Sequence, residues 1–239
     1  MQQGECTGNP SIQTIDLLQQ TGGASFLLLD RVELPAGKVN WVRLVLTDPA
    51  GRIMMSSEEH VLTVPSGDQT GLKLNRGFEV PADGEAHVYI DFDVRKSIVE
   101  MHSGMGMTTS YQLKPTLRLV EDFGAIAGEV DPSLLPVTCL GPSVYVFAGA
   151  GATPDDIDRD QDDPLSSAMV KADIASTTGF SYRADFLPPG DYTVAFVCAD
   201  GGPPGEPADD PDMDDTLSFN PPAGKPATVF DDQTTPLDF

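Results

Sequence analysis

The sequence contains little of what most enzymes and nucleic-acid-binding proteins use. Lys and Arg together number 14 against 37 Asp and Glu in 239 residues, which gives a formal net charge of −23. Such a polyanion repels nucleic acid and anionic lipid. There are three histidines and no HExxH, Gly-x-Ser-x-Gly, phosphate-loop or dinucleotide motif. We therefore expect a protein that is not an enzyme and that has neither nucleic acid nor anionic lipid as a partner.

Cysteine and long apolar runs are also scarce. The three cysteines, Cys6, Cys139 and Cys198, are too few for a disulfide scaffold and form no CxxC pair. No apolar run approaches the roughly 18 residues that a membrane-spanning helix needs. The polar N-terminus lacks the basic and apolar regions of a signal peptide, so we expect the targeting segment to be absent from this chain. No small-apolar lipobox precedes Cys6, which we therefore do not interpret as a lipidation site.

Turns and short alternating strands dominate what is present. The 23 Gly and 21 Pro favour strands joined by turns over long helices. The stretch "HVYIDFDVRKS" alternates apolar and polar residues through Arg95, which is typical of a strand with one buried face. The stretch "TIDLLQQTGGASFLLLDR" predicts short helical turns on either side of Gly22-Gly23, the second over 26–29. The sequence predicts an all-β protein of two antiparallel β-sandwich-type domains, with short helical turns in the first.

The first part of the chain contains "LLLDRVELPAGKVNWVRLVL", "VPSGDQTGLKLNRGFEVP" and "YIDFDVRKS". These stretches resemble a bacterial family of extracytoplasmic lipoproteins built on a domain of unknown function, the DUF4382 family. The resemblance implies a first domain over residues 1–122 and a periplasmic, cell-surface or secreted location. Members of this family carry one or two strands before the TIDLL segment. We expect the first domain to lack those strands, or residues 2–11 to replace an edge.

The second part contains "GAIAGEV", "SVYVFAG" and "TTGFSYRADFLPPGDYTVAFV". These stretches resemble the carboxypeptidase regulatory-like, transthyretin-like β-sandwich. The resemblance implies a second domain over residues 123–239, a secreted or surface role and no catalytic residues. Aromatic and aliphatic residues on its strands are expected to fill the sandwich: Phe180, Tyr182, Tyr192, Val194 and Phe196.

Strand direction in this second domain predicts a disulfide. If every connection reverses the chain, the segment 131–142 and the end of the strand 190–198 lie at the same end of the sandwich. Cys139 and Cys198 then meet. A bridge would close a loop of about 60 residues and stabilise the fold by roughly 3–4 kcal/mol. The alternative is two separate buried thiols. A bridge implies an oxidising compartment.

Two acidic loops are the candidate calcium sites. Calcium prefers six to eight oxygen ligands from clustered carboxylates and carbonyls. In the first loop, "TPDDIDRDQDDP", four aspartates are spaced like positions 1, 3, 5 and 7 of an EF-hand. However, Gln161 and Ser167 stand where that motif needs Gly and Glu. The candidate ligands in the two loops are Asp156, Asp158, Asp160 and Asp162, and Asp210, Asp212, Asp214 and Asp215.

The same argument from strand direction places the two acidic loops at opposite ends of the second domain. We therefore expect two separate calcium sites and no site shared between the loops. The alternative is that both loops are merely solvated, because runs of charge usually are.

Two weaker signals lie in the first domain. The stretch "EMHSGMGMTT" holds Met101, His102, Met105 and Met107, whose thioether and imidazole groups suit Cu(I), or which form a flexible hairpin tip. Trp41 is the one tryptophan. It alternates with the apolar residues of "WVRLVLT" and is a candidate sugar platform, or it packs between the sheet and a neighbouring segment.

Together these patterns predict a non-catalytic extracytoplasmic module with a surface or structural interaction role, with calcium as a candidate stabilising ion. Its expected partners are other surface proteins or polysaccharide. Two alternatives remain open. One is a carbohydrate-binding module. The other is a subunit of a cell-surface assembly joined by strand addition at an open sheet edge.

Overall fold

A computed structural model describes residues 12–47, 51–55, 57–64, 71–102, 109–202 and 207–239. These residues form strands and loops with one short α-helix, α1 (Val94–Ser97), and two 3-10 turns, Leu17–Gln19 and Pro132–Leu134. The prediction of an all-β protein is therefore confirmed. The chain divides into two compact units. Unit 1 comprises Met1–Phe92 and Glu100–Glu121, and unit 2 comprises Asp93–Val99 and Asp122–Phe239.

The strands in and next to unit 1 are short. They are β1 (Gly37–Val39), β2 (Val42–Leu44), β3 (Gly51–Met55), β4 (Glu58–Thr63), β5 (Leu72–Leu74), β6 (Phe78–Val80), β7 (Tyr89–Asp93), β8 (Ile98–His102), β9 (Thr109–Leu113) and β10 (Thr116–Val120). One four-stranded sheet has the order β3-β4-β9-β8, and three two-stranded ladders pair β1 with β6, β2 with β5 and β7 with β10. The β4–β9 pairing is parallel.

Of the two helical turns predicted around Gly22-Gly23, the one before the glycines is present. The side chain of Asp16 accepts a hydrogen bond from the Leu18 amide and so caps the 3-10 turn Leu17–Gln19. The second predicted turn is wrong, because residues 26–29 are not helical. A short apolar run carries no helical period of its own, and Gly22 and Gly23, which adopt positive φ angles of 66° and 84°, lie a few residues before it.

Unit 2 contains two four-stranded sheets. Its strands are β11 (Gly124–Glu129), β12 (Pro142–Ala148), β13 (Ser166–Met169), β14 (Lys171–Ala172), β15 (Phe180–Leu187), β16 (Gly190–Cys198), β17 (Asn220–Val229) and β18 (Thr234–Pro236). Sheet I has the order β14-β15-β11-β18, and sheet II has the order β13-β12-β16-β17. All pairings are antiparallel except that of β18 with β11.

The main core of unit 2 lies between these two sheets. Ile126, Ala184 and Leu187 of sheet I pack with Val144 and Val146 of sheet II in one buried cluster. Four of the five residues predicted to fill the sandwich are buried in it, and Phe180 packs against it partly buried. Alternate residues of β12 and β16 therefore face sheet I. The intervening residues of the same strands face outward, away from sheet I.

Candidate functional site

The outer face of sheet II is apolar and covered. Tyr145 and Phe147 of β12 and Ala195 and Val197 of β16 are at most 1% exposed, although they point away from the main core. They pack with Ile157, which is also fully buried, and with Leu217 and Phe219. The covering residues come from the segments 149–165 and 199–219, which we call the acidic loop layer. A sheet buried on both faces needs continuous apolar strands, and "SVYVFAG" and "YTVAFVC" have that pattern.

The prediction that the two acidic loops lie at opposite ends of the domain is wrong. The segment 149–165 leaves sheet II at Ala148, beside Tyr192, whereas the segment 199–219 leaves it beyond Cys198, beside Pro142. Strand direction therefore identified where each loop begins. It could not identify where the loops run, and both fold back over the outer face of sheet II, where their apolar side chains are removed from water.

Buried hydrogen bonds join the two loops. The Tyr145 hydroxyl donates to the Asp209 carboxylate, whose Oδ1 also accepts from the Ile157 amide at 3.0 Å. The Asp215 amide donates to Asp156 Oδ2 at 2.5 Å. Asp156 and Asp209 are only 2% and 9% exposed. Each loop thus supplies a buried carboxylate that accepts a backbone hydrogen bond from the other loop.

Three groups of carboxylates are close enough to share an ion. Within the described residues, the groups whose oxygens lie within 4.8 Å of one another are Asp156/Asp209/Asp215, Asp155/Asp160/Asp162 and Asp158/Asp160/Asp163. The first group joins both loops, so the expectation of two separate sites does not hold for it. The predicted set of four alternating aspartates is not brought together, because Asp156 turns inward to Asp215. Of the predicted ligands in the second loop, only Asp215 belongs to such a group.

The alternating aspartates have a structural role of their own. Asp158 Oδ1 accepts from the Asp160 amide at 3.0 Å, and Asp160 Oδ1 accepts from the Asp162 amide at 2.7 Å. In the second loop, Asp210 Oδ1 accepts from the Asp212 amide at 3.1 Å. These are Asx turns, in which a side chain replaces a backbone acceptor. The spacing that resembles an EF-hand is therefore explained by loop geometry at Asp158 and Asp160.

Sequence reasoning missed Arg95 and Lys96, two cations that pair with carboxylates of the acidic loop layer. Lys96 Nζ lies 2.8 Å from Asp163 Oδ2, and Arg95 lies 2.8 Å from Asp200 Oδ1. Arg159 lies 2.9 Å from Asp212 and also donates to the Lys96 carbonyl oxygen at 3.3 Å. All these contacts lie within unit 2.

Arg95 and Lys96 can pair with the acidic loops because β7 ends earlier than predicted. The sequence predicted a strand through Arg95, but the Asp93 side chain accepts a hydrogen bond from the Lys96 amide at 3.1 Å and begins α1. Aspartate is a preferred residue at the N-cap of a helix. An aspartate followed by Val-Arg-Lys-Ser is the signal in the sequence that could have indicated this change of direction.

The predicted disulfide between Cys139 and Cys198 is confirmed. The two Cα atoms lie 5.0 Å apart and the sulfurs are bonded. Both residues pack against the main core of unit 2. Cys198 is the last residue of β16, so the bridge fixes the point at which the segment 199–219 begins.

We expect unit 2 to become less stable as the pH rises from 5 to 7.5 in the presence of chelator. Burial raises the pKa of Asp156 to about 6, from an ordinary value of 3.8. Because the folded-state pKa is raised, the stability that protonated Asp156 contributes is fully present below pH 3.8 and is lost as the pH rises through about 6. Burial also raises the pKa of Asp209, so ionisation of Asp209 likewise lowers the stability of unit 2 as the pH rises.

Thermal unfolding followed by circular dichroism at several pH values measures this dependence. Asp131 and Asp173 do not contribute to the pH dependence between pH 5 and 7.5. Backbone hydrogen bonds from Ser133 and Ala175 lower their pKa values, so these two carboxylates change protonation only at lower pH. The variant Asp156→Asn keeps a hydrogen-bond acceptor for the Asp215 amide and is expected to flatten the profile. An equally steep profile in that variant would contradict the assignment.

Residues 2–115 match the family model described as "Domain of unknown function (DUF4382)". This match confirms the resemblance of the first part of the chain to the DUF4382 family. Comparisons with curated proteins and with solved structures found no match. No helix within the described residues has the length and apolarity needed to cross a membrane. The acidic loop layer lies outside the DUF4382 match.

Two predicted site elements lie within the DUF4382 match. Trp41 is 43% exposed, with the Arg43 guanidinium carbon 5.2 Å and Lys73 Nζ 5.4 Å from its ring centroid. The predicted copper-binding stretch lies mostly outside the described residues, since 103–108 are not described and the side chain of residue 102 is not either. The copper interpretation therefore stays a prediction.

Proposed function

We propose that the chain is a non-catalytic extracytoplasmic interaction module whose acidic loop layer binds calcium. The observation that carries the proposal is the group Asp156/Asp209/Asp215, in which carboxylates from two loops converge within 4.8 Å. Converging buried carboxylates repel one another unless they are protonated or neutralised by a cation. A calcium ion bound there would neutralise this charge and hold the two loops together.

The choice of calcium rests on ligand type. Calcium takes hard oxygen ligands in flexible arrangements, which loops can provide, whereas zinc and copper prefer nitrogen and sulfur. The neighbouring cations Lys96, Arg95 and Arg159 form their ion pairs with Asp163, Asp200 and Asp212, and of these cations Arg95 also offsets, through its charge, part of the rise that burial causes in the pKa of Asp209. The competing interpretation is a loop layer stabilised by its own Asx turns, without an ion. Those turns involve Asp158, Asp160 and Asp210. Asp156 and Asp215 instead accept backbone hydrogen bonds, and they still bring two charges close to that of Asp209.

The extracytoplasmic location is supported by two observations. The disulfide between Cys139 and Cys198 is of the kind that persists in oxidising compartments. In addition, residues 2–115 match the DUF4382 domain, and the stretches that carry this match resemble those of extracytoplasmic lipoproteins. For unit 2 we propose a transthyretin-like sandwich. Two facing four-stranded sheets and the tight connection between β15 and β16 support this assignment.

Assembly by strand addition is less well supported for unit 2. The edge strand β17 of sheet II contains Pro221, Pro222 and Pro226, which cannot donate a backbone hydrogen bond to an incoming strand. The edge strand β18 of sheet I contains Pro236. The other edges, β13 and β14, are four and two residues long. Prolines and short edge strands are features that prevent edge-to-edge pairing.

Calcium is expected to raise the melting temperature of the protein at pH 7.5. An ion present at about 100 times its dissociation constant stabilises the folded state by about 2.7 kcal/mol, which raises the melting temperature by roughly 10 °C for a domain of the size of unit 2. Thermal unfolding with millimolar calcium, with magnesium and with chelator measures the effect. Magnesium is expected to do less, because it gives up its water ligands reluctantly.

Two variants localise the ion. Asp215→Asn removes a charge from the proposed site. In the unchanged protein the Asp210 amide donates to Asp215 Oδ2 at 2.9 Å, and the asparagine keeps an oxygen that can accept this hydrogen bond. It is expected to lose most of the calcium response. Asp231→Asn removes an exposed charge between β17 and β18 and is the matched control. A melting temperature that neither calcium nor chelator changes would exclude the metal, and a full response in Asp215→Asn would exclude this group of ligands.

A further inference from the structure

The ladder of β2 and β5 in unit 1 has one apolar and one basic face. Leu72 and Leu74 are 5% and 4% exposed. On the opposite face, the exposed Arg43 and Lys73 stand directly across from each other in the antiparallel register. Trp41 precedes β2 by one residue and shares this face by alternation. Trp41, Arg43 and Lys73 together are called the basic tryptophan patch.

The two adjacent cations of this patch do not help the protein to fold. Like charges directly opposite each other on neighbouring strands destabilise a sheet. The Trp41 ring offsets part of this cost, because each cation lies within 5.4 Å of its centroid. Within the described residues, no ion pair forms at Arg43 or Lys73, whereas Arg52 pairs with Glu59 and Arg118 with Asp91. In a chain with 37 acidic residues, two cations placed together with no carboxylate paired to them in the described part of the chain indicate an anionic ligand.

We propose that the basic tryptophan patch binds an acidic polysaccharide, through a sugar ring on the indole and a carboxylate or sulfate on Arg43 and Lys73. An indole offers an apolar surface with a polar rim, which suits the apolar face of a sugar ring. A guanidinium binds a carboxylate or sulfate with two hydrogen bonds. The net charge of −23 opposes the approach of any polyanion, as it does that of nucleic acid, but it does not cancel the local attraction of Arg43 and Lys73. At physiological salt, charges more than about 8 Å away are largely screened.

This proposal goes beyond the calcium-binding module and does not depend on it. The patch lies in unit 1 and the acidic loop layer lies in unit 2. Loss of calcium binding in Asp215→Asn is therefore expected to leave sugar binding unchanged. If the calcium proposal fails, the patch still has to be tested by itself.

The single tryptophan makes the test direct, because the fluorescence of the protein's only indole reports on this patch. Titration with an oligogalacturonate is expected to give a saturable change in Trp41 fluorescence. A neutral malto-oligosaccharide of the same length is expected to give none. Isothermal titration calorimetry with Trp41→Ala is expected to show loss of binding. Arg43→Ala and Lys73→Ala are each expected to weaken binding by about tenfold, since each removes a charge-assisted hydrogen bond.

The control variant is Arg52→Ala, which removes an exposed arginine that already pairs with Glu59. It is expected to bind like the unchanged protein, and circular dichroism of every variant checks the fold. The absence of a saturable signal with both oligogalacturonate and a sulfated oligosaccharide would overturn the proposal. Equal binding by Arg43→Ala and Arg52→Ala would also overturn it, as would tighter binding of a single-stranded DNA oligonucleotide.

Discussion

Replacing Cys139 and Cys198 together by serine is expected to lower the free energy of unfolding of unit 2 by about 4 kcal/mol. The bridge links residues that are 59 positions apart, and opening it releases a loop of that length in the unfolded chain. This loop contains β12, β13, β14, β15 and most of β16. The bridge therefore restricts the unfolded state of most of the sandwich.

Removing the disulfide is expected to loosen one part of unit 2 as well as to lower the stability of the whole unit. The segment 199–219 starts directly after Cys198, and there the Leu140 amide donates to the Gly201 carbonyl at 2.9 Å. Without the bridge, this end of the acidic loop layer is held by hydrogen bonds and packing alone. Urea unfolding followed by far-ultraviolet circular dichroism measures the global effect. Amide hydrogen exchange at Asp209 and Asp215 measures the local one.

A Cys6→Ser variant leaves the bridge intact and is the matched control. Oxidised and reduced forms of the unchanged protein provide a second comparison without any substitution. If the double serine variant unfolds at the same urea concentration as Cys6→Ser, the bridge does not stabilise unit 2. Reduction of the unchanged protein would then also have no effect.

The disulfide illustrates what the sequence can predict. Alternation and turn residues define the ends of the strands, and strand direction then determines which ends meet. That argument needs only local signals, and it brought Cys139 and Cys198 together correctly. The residues of the main core, such as Tyr182 and Val194, were predictable for the same reason, because they alternate along their strands.

The acidic loop layer could not be predicted in the same way. Its position depends on packing between residues distant in the sequence, such as Ile157 with Tyr145 and Phe219 with Phe147. Strand direction gives the two ends of a loop but not its path. The sequence did contain one signal for this layer. Apolar residues on both faces of β12 and β16 require that each face of the sheet be covered. Ile157, Leu217 and Phe219 are among the apolar residues of the loops that could provide it.

Replacing Lys96 by methionine is expected to destabilise unit 2 by about 3–5 kcal/mol, because it leaves a buried carboxylate without its cation. The Lys96 and Asp163 side chains are only 10% and 13% exposed. Asp163 Oδ1 also accepts from the Asp158 and Arg159 amides at 3.0 Å each, so the position of this carboxylate determines the shape of the loop. The uncompensated charge would therefore disturb the acidic loop layer as well as the fold.

A double-mutant cycle separates the ion pair from the loss of packing. Asp163→Asn alone is expected to destabilise unit 2, because the buried Lys96 ammonium loses its charged partner. Lys96→Met with Asp163→Asn is expected to cost less than the sum of the single variants, with a coupling energy of about 0.5–3 kcal/mol. Urea unfolding measures all three variants, and Lys38→Met at an exposed site of β1 is the control. Additive effects within about 0.5 kcal/mol would show that the pair does not connect α1 to the acidic loop layer energetically.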